Sequence, residues 1–435
     1  MLVFSILAGF QLIPIPTLRR VTLRPIRVAL LILLFASSRY PAAIMAIEFP
    51  QEIVDEIVDH LADDKATRAA SLHDCSLVSS QWLHRSQKHL FHKMWFTGAS
   101  FSKWCEEIRP GDGGPSAHVI VLHYHANFTE AGRLAKHHIH LSSFTNLQKL
   151  HLRATQIHGS TDEELSSCFK QMGLTVRSVS LRACEITIND LVSFIRHFVK
   201  LERLSLIDPI VYNSVLDDSV ESPVLSGVLE LRYMFVRRDI WDFIYQLSLL
   251  PLTFHTVVLE GIHISLLAPV NELLATCHET LTRIDIRDRA SKKYVGALLV
   301  LTCNRNTSDF VRNINLADCN VLREMHLNME IVNHLPSIIK TVTSPQLEEI
   351  RFILSDPSLE RHCDYLEEWE LIDEEICALV DRIRPARYDS WRLSLRFVIT
   401  STIDTGAVGK SGAQLLPASN KHKYITISTD RTGLP

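Results

Sequence analysis

Four absences bound this chain of 435 residues. The first 44 residues hold no aspartate or glutamate; the first acidic side chain is Glu48. The nine cysteines (75, 105, 168, 184, 277, 303, 319, 363 and 377) form no CxxC pair. That excludes the usual zinc-ribbon spacing and gives no disulfide framework, and it suits reduced thiols in the cytosol or nucleus. Long hydrophobic runs are missing from the opening segment: its longest, Val28–Ala36, is nine residues, against ~20 for a bilayer-spanning helix. A strong charge of one sign is missing too. The formal net charge is −4, which indicates no bulk nucleic-acid binding.

A hydrophobic fraction of 46% describes folded protein. Residues 1–44 stand apart as a leader, with Arg19, Arg20, Arg24, Arg27 and Arg39 interrupting two apolar runs. Three readings of it stay open: sequence preceding a true start at Met45, a disordered or targeting leader, or a membrane anchor.

Residues 46–96 form the first domain. From Glu48 the chain reads as three short helices, each with an apolar face. In the first, Ile53, Val54, Ile57, Val58 and Leu61 make one broad stripe. Pro50 suits a helix start, while Glu52 and His60 suit the two ends of the helix dipole. Leu72, Cys75, Val78 and Trp82 line one side of a second helix, and Leu90 and Phe91 close the unit. So small a unit gains only ~3–5 kcal/mol from its own core, and its leftover apolar surface implies docking of another protein.

These residues resemble the F-box motif in its basidiomycete fungal form. The matches are Phe49-Pro50 with Glu52 and Ile53, then Ile57 and Leu61, Cys75 to Ser79 with Trp82, and Leu90-Phe91; Phe49 stands where leucine is usual. The resemblance implies that Phe49, Pro50, Ile53, Ile57, Leu61, Val78, Trp82, Leu90 and Phe91 contact a Skp-type adaptor.

Residues 97–117, with the stretch Pro110 to Pro115, read as a linker. The pattern L-x-x-L-x-L then recurs from Leu147, Val176, Leu201, Ser226, Phe254, Leu281, Leu322 and Leu347, at spacings mostly of 25–29 residues. That is the period of leucine-rich repeats. A further match from Val311 overlaps the one from Leu322, so at most one of the two is a repeat strand. Cys184 and Cys319 fall at the Asn/Cys ladder position, with Thr155 in a third copy. Helices fit the intervals 165–172, 188–198, 240–250, 266–277 and 332–343, and an acidic helix fits 360–386. The expected fold is therefore α/β: a three-helix F-box module followed by a leucine-rich-repeat-like solenoid over 118–400 with a parallel concave sheet. Residues 401–435 read as a flexible tail.

In each copy the fifth and seventh positions face away from the core. Arginine takes the seventh in four copies, Arg153, Arg182, Arg232 and Arg287. These are the candidate target-binding residues, suited to an acidic or phosphorylated segment, unless Glu230, Glu260 and Asp285 pair with them locally. No catalytic or metal-binding constellation emerges. The loop Asp404–Ser411 lacks the first glycine of a phosphate loop, and His137, His138 and His140 have no carboxylate or thiol at ligand spacing. Asn127 and Asn306 begin glycosylation sequons, relevant only to a secreted chain.

What the resemblance implies is a non-enzymatic substrate-recognition subunit of a Skp–cullin–F-box ubiquitin ligase. It would join the adaptor, and through it a cullin scaffold, to a protein target, with no cofactor, nucleic acid or membrane required. A scaffold that never joins a ligase is the alternative.

Overall fold

The computed structural model describes residues 50–63, 68–107, 115–126, 141–157, 169–212, 215–217, 223–234, 238–287, 313–328, 334–354, 366–384, 391–399, 416–422 and 424–431. The leader, Phe49, the stretch 110–114, both sequons, the histidine triplet and the loop 404–411 lie outside these residues. The chain divides into two units between Leu90 and Phe91.

In the first unit, α1 (Gln51–Asp63), α2 (Arg68–Ser76) and α3 (Ser80–Phe91) enclose a core of Val54, Val58, Ala62, Leu72, Cys75 and Trp82. The Pro50 carbonyl accepts the Ile53 and Val54 N–H groups at 3.0 and 3.3 Å, opening α1. The expected stripe is wider than the core it serves. Val54 and Val58 are fully buried, Ile57 and Leu61 pack partly against them, and Ile53 remains 42% exposed. The expected second helix running as far as Trp82 is corrected: it stops at Ser76. Leu77 and Val78 donate to Asp74 and Cys75 at 3.1 Å in a tight turn, in a run whose serines favour caps and turns over helix interiors. Trp82 therefore enters the core from α3.

The second unit is built on one sheet whose strands are all parallel. They lie in the order β1 (Lys93–Thr97), β2 (Val121–His125), β3 (Lys149–Arg153), β5 (Ser178–Arg182), β7 (Arg203–Ile207), β9 (Leu225–Arg232), β10 (Leu252–Glu260), β11 (Arg283–Arg287), β12 (Glu324–Asn328), β13 (Glu349–Leu354), β14 (Leu393–Ile399) and β15 (Ile425–Arg431). Short strands β4 (Gln156–Ile157), β6 (Glu185–Ile186) and β8 (Ile210–Val211) make a second parallel ladder. Among the described residues, the α-helices between strands are α4 (Gly98–Glu107), α5 (Ile188–Ile195), α6 (Arg238–Ser248), α7 (Leu267–Thr276), α8 (Leu335–Thr341), α9 (Leu366–Ile383) and α10 (Pro417–Lys421).

The fourth and sixth residues of each copy are buried, as Leu150 with Leu152 and Val179 with Leu181 show. Period-2 alternation sends them to one face of the sheet and their neighbours to the other. Ladder positions behave as expected: the buried Cys184 thiol donates to the Leu152 carbonyl at 3.4 Å and Thr155 Oγ1 to the Arg153 carbonyl at 3.1 Å. Thr187 caps α5 by accepting the Asp190 N–H at 3.1 Å. The contest between overlapping copies is settled for Leu322, whose copy forms β12, while Ile314, Leu316 and Cys319 are buried without forming a strand.

Five consecutive repeats turn at the same place. Ala154, Ala183, Asp208, Tyr233 and Gly261 follow the seventh position and have φ of 51, 47, 48, 54 and 62°. Each donates its N–H to the seventh residue's carbonyl on the next strand, at 2.9, 2.8, 2.9, 2.7 and 3.1 Å. That shared hydrogen bond holds a conformation which L-residues rarely adopt.

Three expected boundaries move. The sheet begins at Lys93, inside the residues assigned to the helical domain, because Phe91, Met94 and Phe96 supply the core positions of a repeat. Part of the expected linker is helix α4, which buries Phe101 and Cys105. The expected tail contributes α10 and β15, the latter in register with β14 from Leu393↔Ile425 to Ile399↔Arg431.

Candidate functional site

The face of the sheet turned away from its core is assembled by register into rows running across the strands. The first row carries Lys93, Val121, Lys149, Ser178, Arg203 and Val228. The second carries Trp95, His123, His151, Ser180, Ser205 and Glu230, and the third Thr97, His125, Arg153, Arg182, Ile207 and Arg232. Beyond β9 the third row continues through Glu260 and Arg287.

Arg232 and Arg287 are not available to a target in the way their spacing suggested. Glu230, Glu260 and Asp285 are buried on this face, and burying carboxylates requires paired cations. Arg232 spans Glu230 at 3.1 Å and Glu260 at 3.3 Å; Arg287 lies 2.5 Å from Asp285 and 4.0 Å from Glu260. Arg203 adds a 2.5 Å pair with Glu230, and Tyr233 donates its hydroxyl to Glu260 at 2.7 Å. The hydrogen bond with Asp285 raises the Arg287 pKa, against the lowering effect of burial. Farther along, Arg351 and Arg396 flank Glu349. His326, 2.9 Å from Arg283, is held down to about 4 by burial and then by that guanidinium. Arg182 is half-buried in register with Arg153. Arg153 is exposed, and no salt bridge to it forms among the described residues. Local pairing therefore accounts for Arg232 and Arg287, and no such pair accounts for Arg153 among the described residues.

Between these charged regions lies a groove of about 1110 Å³ over β3 to β10. Its floor is made of small residues, Ser178, Ser180, Ser205 and Gly227, and its sides hold Lys149 and the Arg177–Glu202 pair at 2.6 Å. Gly227 is required there: its φ is +92°, and a Cβ would sit 2.2 Å from the Glu202 carbonyl oxygen. An open trough suits an extended chain more than a small molecule, whose sites are enclosed. Among the described residues, no three His, Cys, Asp or Glu side chains converge as a metal site, and no helix is long and apolar enough to cross a membrane.

No protein-family model matches the chain, and no curated protein matches it. Among solved structures it is similar to a chain of the Rad7 and Elc1 complex of yeast, at 12% identity and a TM-score of 0.31, over 95% of this chain and 98% of that one.

The expected adaptor-contacting residues separate by burial. Pro50, Ile53 and Val78 are exposed on the first unit, joined by Leu77 and Leu83. Ile57, Leu61 and Leu90 are partly buried against its core, and Trp82, 8% exposed, belongs inside. Phe91 falls in the second unit, half-buried with its ring edge-on to Trp104 at 6.0 Å. Trp82 is thus a core group, because its large apolar surface is worth most when dry, while Phe91 packs partly against the core of the second unit.

The sequence reading passed over Lys93, Trp95 and His123. Their signal was present: FHKMWF from Phe91 and VIVLHY from Val119 fit the repeat with Met, Phe and Tyr in leucine positions, evenly spaced before Leu147.

Proposed function

We propose that the chain is the substrate-recognition subunit of a Skp–cullin–F-box ubiquitin ligase. The helical unit binds a Skp-type adaptor and through it a cullin scaffold, and the open face of the repeats holds a protein target in the cytosol or nucleus. The observation that carries this reading is the mismatch in the first unit. It closes a core of six residues yet leaves Ile53, Leu77, Val78 and Leu83 at 42, 72, 64 and 37% exposure. Apolar residues concentrated on so small a domain mark a protein-binding surface. The repeats complement it with an extended-chain groove. Such a receptor makes and breaks no bond; its contribution is to hold a target lysine near the transferring enzyme.

The test is capture of a purified Skp-type adaptor by the full chain. Ile53→Asp/Val78→Asp removes two exposed apolar contacts without touching the core and abolishes capture. Val199→Asp, at a position 72% exposed in the repeats, leaves it unchanged. Failure of the wild-type chain to bind any Skp-type adaptor sinks the ligase reading and leaves a protein-interaction scaffold.

A further inference from the structure

The first five strands of the main sheet, β1, β2, β3, β5 and β7, contain no aspartate or glutamate. On their open face stand Lys93, Lys149, Arg153, Arg182 and Arg203, with His123, His125 and His151 among them. Acidic residues enter only from β9 onward, where arginines cover them, as Arg232 covers Glu230. Within the half of this face formed by the first five strands, Arg203 pairs with Glu230 across to β9, whereas no ion pair to Lys93, Lys149 or Arg153 forms among the described residues. Like charges side by side on neighbouring strands destabilise a sheet, so folding gains nothing from this half, whereas a binding surface does.

The same half carries an aromatic platform. The Trp95 and His123 rings are parallel within 1° at 3.7 Å, and His123 and His151 within 5° at 4.3 Å. Lys93 Nζ lies 4.9 Å from the Trp95 ring centre, yet Trp95 is 67% exposed. His123 Nε2 is buried and, among the described residues, has no hydrogen-bond partner. Along the same row the platform runs into Ser180 and Ser205, where the floor offers hydroxyls and little bulk.

We propose that this surface docks an extended, aspartate- and glutamate-rich segment of a partner protein, laid across β1 to β7 with an apolar or aromatic side chain on the Trp95–His123–His151 stack. Four strand spacings of ~4.8 Å give roughly 19 Å, the length of about six extended residues. Carboxylates in such a segment alternate along its length, matching cations spread over separate strands. A single phosphate would instead need several arginines converging on one point. The proposal rests on the reading of the repeats as the target-holding part and names the chemistry of what they hold.

The experiment measures binding of short fluorescent peptides to the full chain: a Glu/Asp-rich peptide with one central tyrosine, its Gln/Asn counterpart, a singly phosphorylated counterpart, and a single-stranded oligo-dT. The acidic peptide is expected to bind about tenfold or more tightly than its Gln/Asn counterpart, and to weaken as salt is raised. Lys149→Glu/Arg153→Glu lowers that affinity about tenfold or more, Trp95→Ala lowers it severalfold, and Lys340→Glu on α8 leaves it unchanged. Lys149→Gln/Arg153→Gln, which introduces no new charge, weakens binding in the same direction, and melting curves confirm that each variant folds. Equal binding of the Gln/Asn peptide, or indifference to the Lys149/Arg153 changes, overturns the proposal. Tighter binding of the phosphopeptide or of oligo-dT overturns its choice of partner. Adaptor capture is measured on the same samples: peptide binding without adaptor capture fails the ligase reading alone, and the converse fails this inference alone.

Discussion

Arg85 on α3 grips Asp59 on α1 through two guanidinium nitrogens, Nε at 2.7 Å and Nη2 at 2.5 Å. His89, one turn later, reaches the same carboxylate at 2.7 Å. The pair cross-links the first and last helices of a unit with a small core. The Arg85 hydrogen bond outweighs burial and, with His89, holds the Asp59 pKa down to about 2. Because the carboxylate is 44% exposed, the coupling is expected near the upper end for a surface pair, about 1 kcal/mol. A double-mutant cycle of Asp59→Asn and Arg85→Ala, read by denaturant unfolding, measures it. The folded pKa is the lower one, so this contribution is complete above about 3.8 and disappears as pH falls through about 2.

Two arginines at equivalent strand positions are expected to behave oppositely. Arg232→Ala leaves Glu230 and Glu260 buried with reduced compensation and destabilises the second unit by about 3 kcal/mol. Arg153→Ala changes stability by less than about 0.5 kcal/mol, as for an ordinary surface site. Urea melts of both variants decide it; equal losses would mean that Arg153 has a structural partner.

Three buried cysteines, Cys184 and Cys319 of the ladder and Cys277 at the end of α7, are expected to be chemically silent. Burial pushes the thiols of Cys184 and Cys277 up to about 11 and that of Cys319 up to about 12. The thiolate is the reactive form, so iodoacetamide at mildly alkaline pH leaves all three unmodified in the native chain and labels them after denaturation. Peptide mass spectrometry reads the difference.

Positive φ at a turn and within a strand predicts opposite effects for two small substitutions. Ala183→Gly removes strain at φ 47° and stabilises by up to about 1 kcal/mol, the gain being offset by unfolded-state entropy. Gly227→Ala drives a Cβ to 2.2 Å from the Glu202 carbonyl oxygen and destabilises by more than that, because that oxygen belongs to the backbone and cannot swing aside. Thermal melting separates them.

Acid is expected to weaken the second unit before carboxylates titrate. Burial, followed by repulsion from His151, lowers the His123 pKa to about 4; burial, followed by Arg283, does the same for His326. Unfolding lets each imidazole take up a proton at pH values where the folded chain resists it. Stability therefore falls as pH drops from about 6.5 towards 4. His123→Phe flattens that slope while preserving the stack, as melting temperature against pH tests.

Periodicity made most of the second unit readable, because a buried apolar pair on every strand leaves its mark in each copy. Eight copies from Leu147 to Leu347 became strands. The two preceding copies escaped because aromatic residues and methionine replaced leucine, although the core accepts Met94 and Tyr124 in the same places. The tail escaped for a different reason. β15 is Thr- and Ser-rich, and its membership of the sheet depends on the backbone ladder offered by β14, which composition does not reveal. In the candidate site, spacing identified the arginines but not which ones were already spent on buried carboxylates. Only the strand register, which sets Arg232 beside Glu260, decides that.

The left-handed turn shared by five consecutive repeats makes those repeats interchangeable at their seams. β5, β7 and the matching part of β9 follow one another at intervals of 25 residues, with Ser178, Arg203 and Val228 in register. Excising residues 178–202 would bring Arg203 next to Lys149 while keeping the same hydrogen-bonded closure. A gene encoding such a chain can therefore acquire new recognition by unequal crossing-over of whole units, with each junction already compatible. Its ligand repertoire is edited by rearranging strands as readily as by point mutation.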